Sequence, residues 1–230
     1  MATVVQAVDG VASCANPTTV AYTSNVTIGN HLIVCIAADT APPIASQVTD
    51  TRGNTYVRDA TVTNGESVAV FSCKNVSTGA NTVSVAYAPC KSIQLYEVSG
   101  LDATTWFDNA VTASGTSTAP ATGSLTAAGA GFICSLVGWG ASTSCNAIGG
   151  AWSQHGFESE SFGTMTGNSQ YQANAGGGSF SFTHTLGTSA SWSITLAAYK
   201  NAAAGGGAAM AQIPRTRPFP FKPGSPPGLR

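Results

Sequence analysis

Between residues 2 and 199 the chain repeats one short pattern. β-Branched and aromatic side chains alternate with polar ones, and a Gly- or Asn-rich step follows. Alternation of period two marks a strand whose faces meet different surroundings. The pattern occurs at 2–8, 19–27, 31–38, 54–60, 66–74, 81–88, 91–98, 106–113, 131–139, 151–160, 168–174, 179–185 and 191–199. Turn signals separate the segments: Gly29-Asn30, Arg52-Gly53-Asn54, Asn64-Gly65, Thr78-Gly79-Ala80-Asn81 and Gly176-Gly177-Gly178. Asn64-Gly65 is the strongest, because both residues tolerate the positive φ of a two-residue hairpin turn. No segment keeps a helical period over three turns. Short strands at regular spacing predict a sandwich or barrel, and their number favours a jelly roll over a seven-strand sandwich. The expected fold is therefore all-β: an antiparallel two-sheet sandwich, jelly-roll-like, over residues 1–200. A Gly/Ala-rich linker over 201–212 and an extended Pro-rich basic arm over 213–230 complete the chain.

Composition narrows the function classes. Apolar residues make up 43% of the chain, enough for a packed core, while charged residues make up only 8%, against roughly 25% in ordinary soluble domains. Ser, Thr, Asn, Gly and Ala take their place, as on secreted or particle-surface β proteins. A net charge of −1 argues against nucleic-acid binding by the whole chain. No run approaches the roughly 18 apolar residues of a membrane helix. The opening Met1-Ala2-Thr3-Val4-Val5-Gln6-Ala7-Val8-Asp9 has neither the basic start nor the apolar run of a signal peptide. The expectation is release without a signal, as for virion proteins freed by lysis, or earlier removal of one.

Six cysteines occur: Cys14, Cys35, Cys73, Cys90, Cys134 and Cys145. Proximity in sequence makes Cys73 with Cys90, and Cys134 with Cys145, the candidate disulfides. Cys35 and Cys134 also read as small core residues, being set among Leu, Ile and Val. No pair has the short spacing of a structural zinc site, so no metal or other cofactor is expected.

Catalytic signatures are missing. There is no nucleophile elbow, no H-E-x-x-H and no phosphate-binding Gly loop. His31, His155 and His184 fall in different strands with no recurring acid or Cys partner. Glu158 and Glu160 alternate onto one face of a strand and form the densest acidic pair, a pattern more typical of a solvated strand than of an acid/base couple. Glu97, between Tyr96 and Val98, is expected to be solvent-facing or paired. Asp50, Asn54 and Asp59 offer oxygens for a calcium ion, yet lack the carboxylate spacing of a dedicated loop; turn chemistry around Gly53 explains Asp50 and Asn54 better. No enzyme is expected. Glycan binding through exposed aromatics is the alternative, with Trp106, Trp152 and Tyr171 as candidate contacts, whereas Trp139 and Trp192 read as core.

The last thirty residues differ from the body. Residues 1–200 carry five basic and ten acidic side chains, whereas residues 201–230 carry Arg215, Arg217, Lys222 and Arg230, no acid, and six of the eleven prolines. Proline at that density excludes helix and central strand and favours an extended path. Alternation with proline makes Phe219 and Phe221 natural knobs for apolar pockets. Ile213, Arg215, Arg217, Phe219, Phe221 and Lys222 are therefore expected to form an assembly arm. Its partners would be copies of the same chain or a capsid or shell protein.

One series of motifs carries a resemblance. Gly29-Asn30-His31-Leu32-Ile33-Val34 is followed by Val48-Thr49-Asp50-Thr51-Arg52-Gly53-Asn54-Thr55-Tyr56, then by Lys74-Asn75-Val76-Ser77-Thr78-Gly79-Ala80-Asn81-Thr82-Val83. Leu95-Tyr96-Glu97-Val98-Ser99-Gly100-Leu101-Asp102 and Trp192-Ser193-Ile194-Thr195-Leu196-Ala197-Ala198-Tyr199-Lys200 complete the series. Over most of residues 25–200 this order resembles a jelly-roll-like β-sandwich module of bacterial surface and secreted proteins and of phage-encoded proteins. The resemblance implies the fold and transfers no catalytic residue. The expected role is a structural virion protein, a phage capsid decoration or other particle-surface subunit, attached through its arm at the virion surface. The alternative is a secreted, extracellular carbohydrate-binding module that meets surface glycans.

Overall fold

A computed structural model describes the backbone of residues 1–140, 145–148, 152–159 and 165–203. The arm residues lie outside the described residues, as do the side chains of Cys145, His155, Glu158 and Glu160. The body is an all-β sandwich of antiparallel sheets. Its inner sheet runs in the order β1 (Thr3–Val8), β9 (Lys91–Ser99), β4 (His31–Asp39), β7 (Glu66–Lys74) and β6 (Val57–Asn64), with β2 (Ala12–Ser13) also paired to β9. The facing sheet runs β10 (Phe107–Ser117), β16 (Ala190–Lys200), β11 (Leu125–Gly140), β14 (Met165–Phe180) and β13 (Ser153–Ser159). Two small sheets cover the outer faces: β3 (Thr18–Ala21), β8 (Thr82–Val85) and β5 (Val48–Asp50) on one side, β12 (Cys145–Ile148) and β15 (His184–Leu186) on the other. The only helix among the described residues is a 3-10 turn at Ala45–Gln47.

The small sheets explain why β4, β7 and β9 bury residues on both faces. On β4, Leu32, Val34, Ile36 and Ala38 meet Val20, Val48, Val83 and Val85 of the three-stranded cover. The alternate residues Ile33, Cys35 and Ala37 meet Phe132, Cys134, Leu136 and Tyr199 of the facing sheet. A third apolar layer, with Trp139, Ile194 and Leu196, lies beneath Phe182 and Leu186. Period-two alternation therefore sorts residues between two cores rather than between core and water. That adds layers to the expected two-sheet arrangement while leaving its large sheets face to face.

The Asn64-Gly65 hairpin forms as expected: β6 and β7 pair from Asn64↔Glu66 outward, with Gly65 at φ +83°. Gly176-Gly177-Gly178 behaves differently from expectation. It does not end a strand but lies inside β14, where Gly176 (φ +75°) and Gly178 (φ +148°) accommodate register shifts opposite Ala127 and Ala130. Positive φ here serves a bulge rather than a turn.

The cysteines also require correction. The disulfide joins Cys14 to Cys90, not Cys73 to Cys90. The strand register dictates this: Ala12 pairs with Ser92 and Ser13 with Lys91, so Cys14 and Cys90 are the next opposed pair. Cys73 is a buried free thiol at the other end of the inner sheet, opposite Leu32. Cys134 is likewise a buried free thiol, as its apolar setting predicted, and so does not pair with Cys145.

β9 carries two charges into this apolar stack. Lys91 and Glu97 are both fully buried. The Lys91 ammonium donates to the carbonyls of Ala15 and Tyr87 at 2.7 Å each and of Pro89 at 3.3 Å, clamping the loops that carry the disulfide. Glu97 accepts from Gln6 Nε2 (2.6 Å), the Thr27 amide (2.8 Å) and Asn30 Nδ2 (2.6 Å). It is thus paired, the second of its two sequence readings. Removing a buried acceptor strands its donors at a cost of roughly 1–3 kcal/mol each. Glu97→Ala is therefore expected to cost on the order of 3–5 kcal/mol in urea unfolding. Glu97→Gln, which keeps one oxygen acceptor in place, is expected to cost clearly less.

Candidate functional site

The most distinctive polar cluster lies where edge strand β6 of the inner sheet meets edge strand β10 of the facing sheet. Both strands are bulged there. In β6, Arg58 pairs with Phe71 and Ala60 with Val70, so Asp59 is the extra, unpaired residue. In β10, Phe107 pairs with Tyr199 and Asn109 with Ala198, which leaves Asp108 in the same position. A bulge turns a side chain out of the regular alternation, and bulges recur beside binding sites. Asp108 accepts from the Ala128 amide at 3.0 Å and lies 3.9 Å from the Lys200 ammonium.

Asp59 turns toward the facing sheet, where the Tyr199 hydroxyl donates to it at 2.8 Å. Ser72 also bonds to this carboxyl, while the Trp106 indole N–H donates to Ser72 Oγ at 2.8 Å. A hydrogen-bonded chain thus runs from Trp106 through Ser72 to Asp59 and Tyr199. Burial pushes the Asp59 carboxyl up to about 6, outweighing the stabilisation its anion draws from Ser72 and Tyr199. Trp106 packs its ring 5.0 Å from that of His31, whose nitrogens have no hydrogen-bond partner. Burial, reinforced by the nearby Lys74 charge, lowers His31 to about 4, so it is neutral near pH 7.

Val57, Asp59, Thr104, Thr105, Trp106 and Phe107 enclose a cleft of about 200 Å³. Its loop wall is built by Asp102, whose Oδ1 accepts from the amides of Thr104 (2.9 Å) and Thr105 (2.7 Å) and from both hydroxyls. These bonds, the Thr105 amide foremost, hold the Asp102 carboxyl down at about 2. The cleft therefore offers an aromatic wall, hydroxyl oxygens and a carboxyl that is uncharged in mild acid. That set suits an uncharged polar ring.

The three aromatic glycan candidates do not converge. Trp106 lines the cleft. Tyr171 is directed between the large sheets, stacked on Phe132 at 5.8 Å and edge-on to Tyr96 at 5.5 Å, and serves the core. Trp152 packs edge-on against Phe182 at 5.1 Å in the outermost layer. Trp139 and Trp192 are core residues as expected.

Asp50, Asn54 and Asp59 do not act together either. Asp50 accepts five hydrogen bonds, from the amides of Arg52 and Asn54, from Asn54 Nδ2 and Asn81 Nδ2, and from the Tyr56 hydroxyl, at 2.7–3.0 Å. Burial alone would raise its pKa, but these donors outweigh it and hold the group below the ordinary value. Asn54 presents its amide N–H₂ to Asp50, and its oxygen accepts from Val76. This is the expected turn chemistry. The role of Asp59 was not legible, because its direction depends on a bulge that only strand register defines.

Comparison with protein families, with characterised proteins and with solved structures finds no match to this chain.

The raised Asp59 pKa has a signed consequence. The folded state holds this proton up to about pH 6, whereas the unfolded state releases it near the ordinary 3.8. The Asp59 contribution to stability is therefore fully present at low pH and is lost as pH rises through about 6. His31 and His184, both lowered to about 4 by burial, bias stability the opposite way between pH 4 and 6.5. The difference between wild type and Asp59→Asn isolates the carboxyl. In chemical denaturation at matched pH, the variant is expected to gain stability relative to wild type between pH 4 and pH 7, with the gain levelling off above about pH 6. A flat difference would show that Asp59 does not titrate there.

Proposed function

We propose that this chain is a structural subunit of a virion surface, of the capsid-decoration kind, that attaches through its C-terminal arm. One observation carries this reading: charge and composition are segregated along the chain. The body is a closed β stack with a net charge of −5, and the arm is basic, acid-free and Pro-rich. The junction between them is firmly rooted. The Ala202 amide donates to Gly100 at 2.9 Å, and the Asn201 side chain accepts from the Ala2 amide at 2.7 Å. At the same end of the inner sheet, Ile28 and Val76 expose apolar surface around a groove that includes Lys74. Lys74 in turn donates to Ala103 at 3.3 Å. Apolar surface and a tethered basic arm at one end of the body fit a subunit that grips a neighbour, either another copy or a shell protein. Catalysis forms no part of this proposal.

The test is truncation. A chain ending at Ala203 keeps Asn201 and Ala202, so it is expected to fold with unchanged thermal stability and yet fail to join particles that retain the full chain. Burying one Phe contributes roughly 1.5–3 kcal/mol. Phe219→Ala with Phe221→Ala is therefore expected to weaken attachment by about a hundredfold or more. The arm's ion pairs would make attachment salt-sensitive. Equal incorporation of the truncated chain would sink the proposal.

A second reading, carbohydrate binding, draws support from the Trp106 cleft. Val57 lines that cleft from a position 54% exposed, so Val57→Arg would obstruct it without disturbing the core. Binding on a glycan array that is lost in Val57→Arg and kept by the chain ending at Ala203 would move this reading ahead.

A further inference from the structure

The arm leaves the body beside the Trp106 cleft. The Lys200 amide bonds to the Trp106 carbonyl at 2.7 Å, the Asp102 amide to the Lys200 carbonyl at 3.0 Å, and Asn201 pairs antiparallel with Leu101. Residues 200–202 therefore run beside 100–106, whose last three residues line the cleft. Reach follows from this pairing. Paired residues lie about 5.5 Å apart, and from Leu101 to Thr104 the chain spans at most about 11 Å. The cleft wall thus lies within about 16 Å of Asn201. The Gly- and Ala-rich stretch from Asn201 to Ile213 has a root-mean-square span of roughly 17–21 Å. A tether whose natural span matches the distance gives its cargo the highest effective concentration, of millimolar order. The arm therefore meets its own cleft before any neighbour's.

The cleft suits what the linker delivers. Val57, Trp106 and Phe107 give it an aliphatic and aromatic lining, and both rings are only half-buried. Aromatic-lined clefts are common receptors for proline-rich chain, which arrives already extended and so loses little entropy. A space of about 200 Å³ suits one or two side chains rather than a folded partner. Charge selects the same place. Asp59 lines the cleft, Asp102 holds its loop wall, and no Lys or Arg lines it among the described residues. Of the two cations nearby, Lys200 is paired with Asp108 and Lys74 donates to the Ala103 carbonyl. Lys74 instead lines the larger groove at Ile28 and Val76, where it repels the Arg215, Arg217 and Lys222 that bracket the arm's Phe pair.

We propose that in the free subunit the arm folds back onto its own body and seats the Pro218-Phe219-Pro220-Phe221 run in the Trp106 cleft. The inference rests on the premise of the proposed function, that the arm is a recognition element, and adds where that element lies before it meets a neighbour. Docking within the chain shelters the phenylalanines until a partner takes them. The contact itself is weak. With an effective concentration of millimolar order, a Kd of about the same size for the untethered segment fills half of the clefts, and a neighbour offering a better site then draws the arm out.

Nitrogen–proton NMR spectra of the full chain, and of the full chain carrying Phe219→Ala with Phe221→Ala, supply the test. Both substitutions lie in the arm, so the body's core is the same in the two samples. The Trp106 indole N–H and the amides of Thr104, Thr105 and Phe107 are expected to shift between them, while the indole signals of Trp139 and Trp192 coincide. The shifts are expected to hold unchanged on dilution, as a contact within one chain requires. Identical cleft signals in the two samples overturn the proposal and leave the cleft to the carbohydrate reading. Shifts that fade on dilution also overturn it, because they assign the arm to a second copy's cleft. Incorporation into particles is read separately. Coincident cleft signals, with attachment lost in the phenylalanine variant, sink this inference alone. Shifted cleft signals, with attachment kept by the chain ending at Ala203, uphold it and sink the attachment reading alone.

Discussion

Sealing the inner sheet on both faces is the constraint that orders the rest of this body. Away from their ends water reaches neither side of β4, β7 or β9, so polar groups there turn to protein partners, and His31 is left without one. Most polar groups lie near the strand ends with apolar ones between them, although Gln94 lies buried in mid-β9. On one face of β9 the order is Lys91, Ile93, Leu95, Glu97, with carbonyls receiving the ammonium and amides serving the carboxylate. The loops that carry those partners are thereby fixed. The disulfide loop at one end and the 24–30 segment at the other are held by a charge that has nowhere else to go.

The edges obey a second rule. Among the described residues the edge strands of the two large sheets are β1, β2, β6, β10 and β13, and all but the two-residue β2 carry a register shift, as do the interior pairings of β11. The β4 pairings with β7 and β9 carry none. A bulge twists an edge away from flat pairing and so discourages edge-to-edge aggregation. With so few charged residues, this chain cannot blunt its edges with lysines, and backbone irregularity does the work instead. The same device creates the cleft, because Asp59 and Asp108 are the residues the bulges set free. Edge protection and the candidate site thus share one physical origin.

This explains which features were legible in the sequence. Asn64-Gly65 and the long alternating runs of β4, β7 and β9 depend on local preference and were readable directly. The two-residue β2 and the three-residue β5 carry too little pattern to be seen. Gly176-Gly177-Gly178 reads as a turn because glycine permits a turn and an in-strand bulge alike, and only the partner strand decides between them. The Cys14–Cys90 bond spans 76 residues and follows from the β2–β9 register, whereas proximity in sequence pointed to Cys73. Tyr171 failed as a surface candidate for the same reason. Alternation identifies two faces, but the covering layers decide whether either one meets solvent.

The fate of the charges bears on assembly. Glu66, Lys91 and Glu97 are buried, and Asp50 and Asp59 are committed to internal hydrogen bonds. Much of the body's small charge complement thus stabilises the fold rather than the surface. What remains outside is largely hydroxyl and amide, whose contacts respond weakly to ionic strength. The arm concentrates four cations within thirty residues. In the proposed role, folding and attachment would draw on different forces: the body on burial and buried polar pairing, the arm on screened charge and a pair of phenylalanines. On that proposal a change of salt would act on attachment while leaving the body intact.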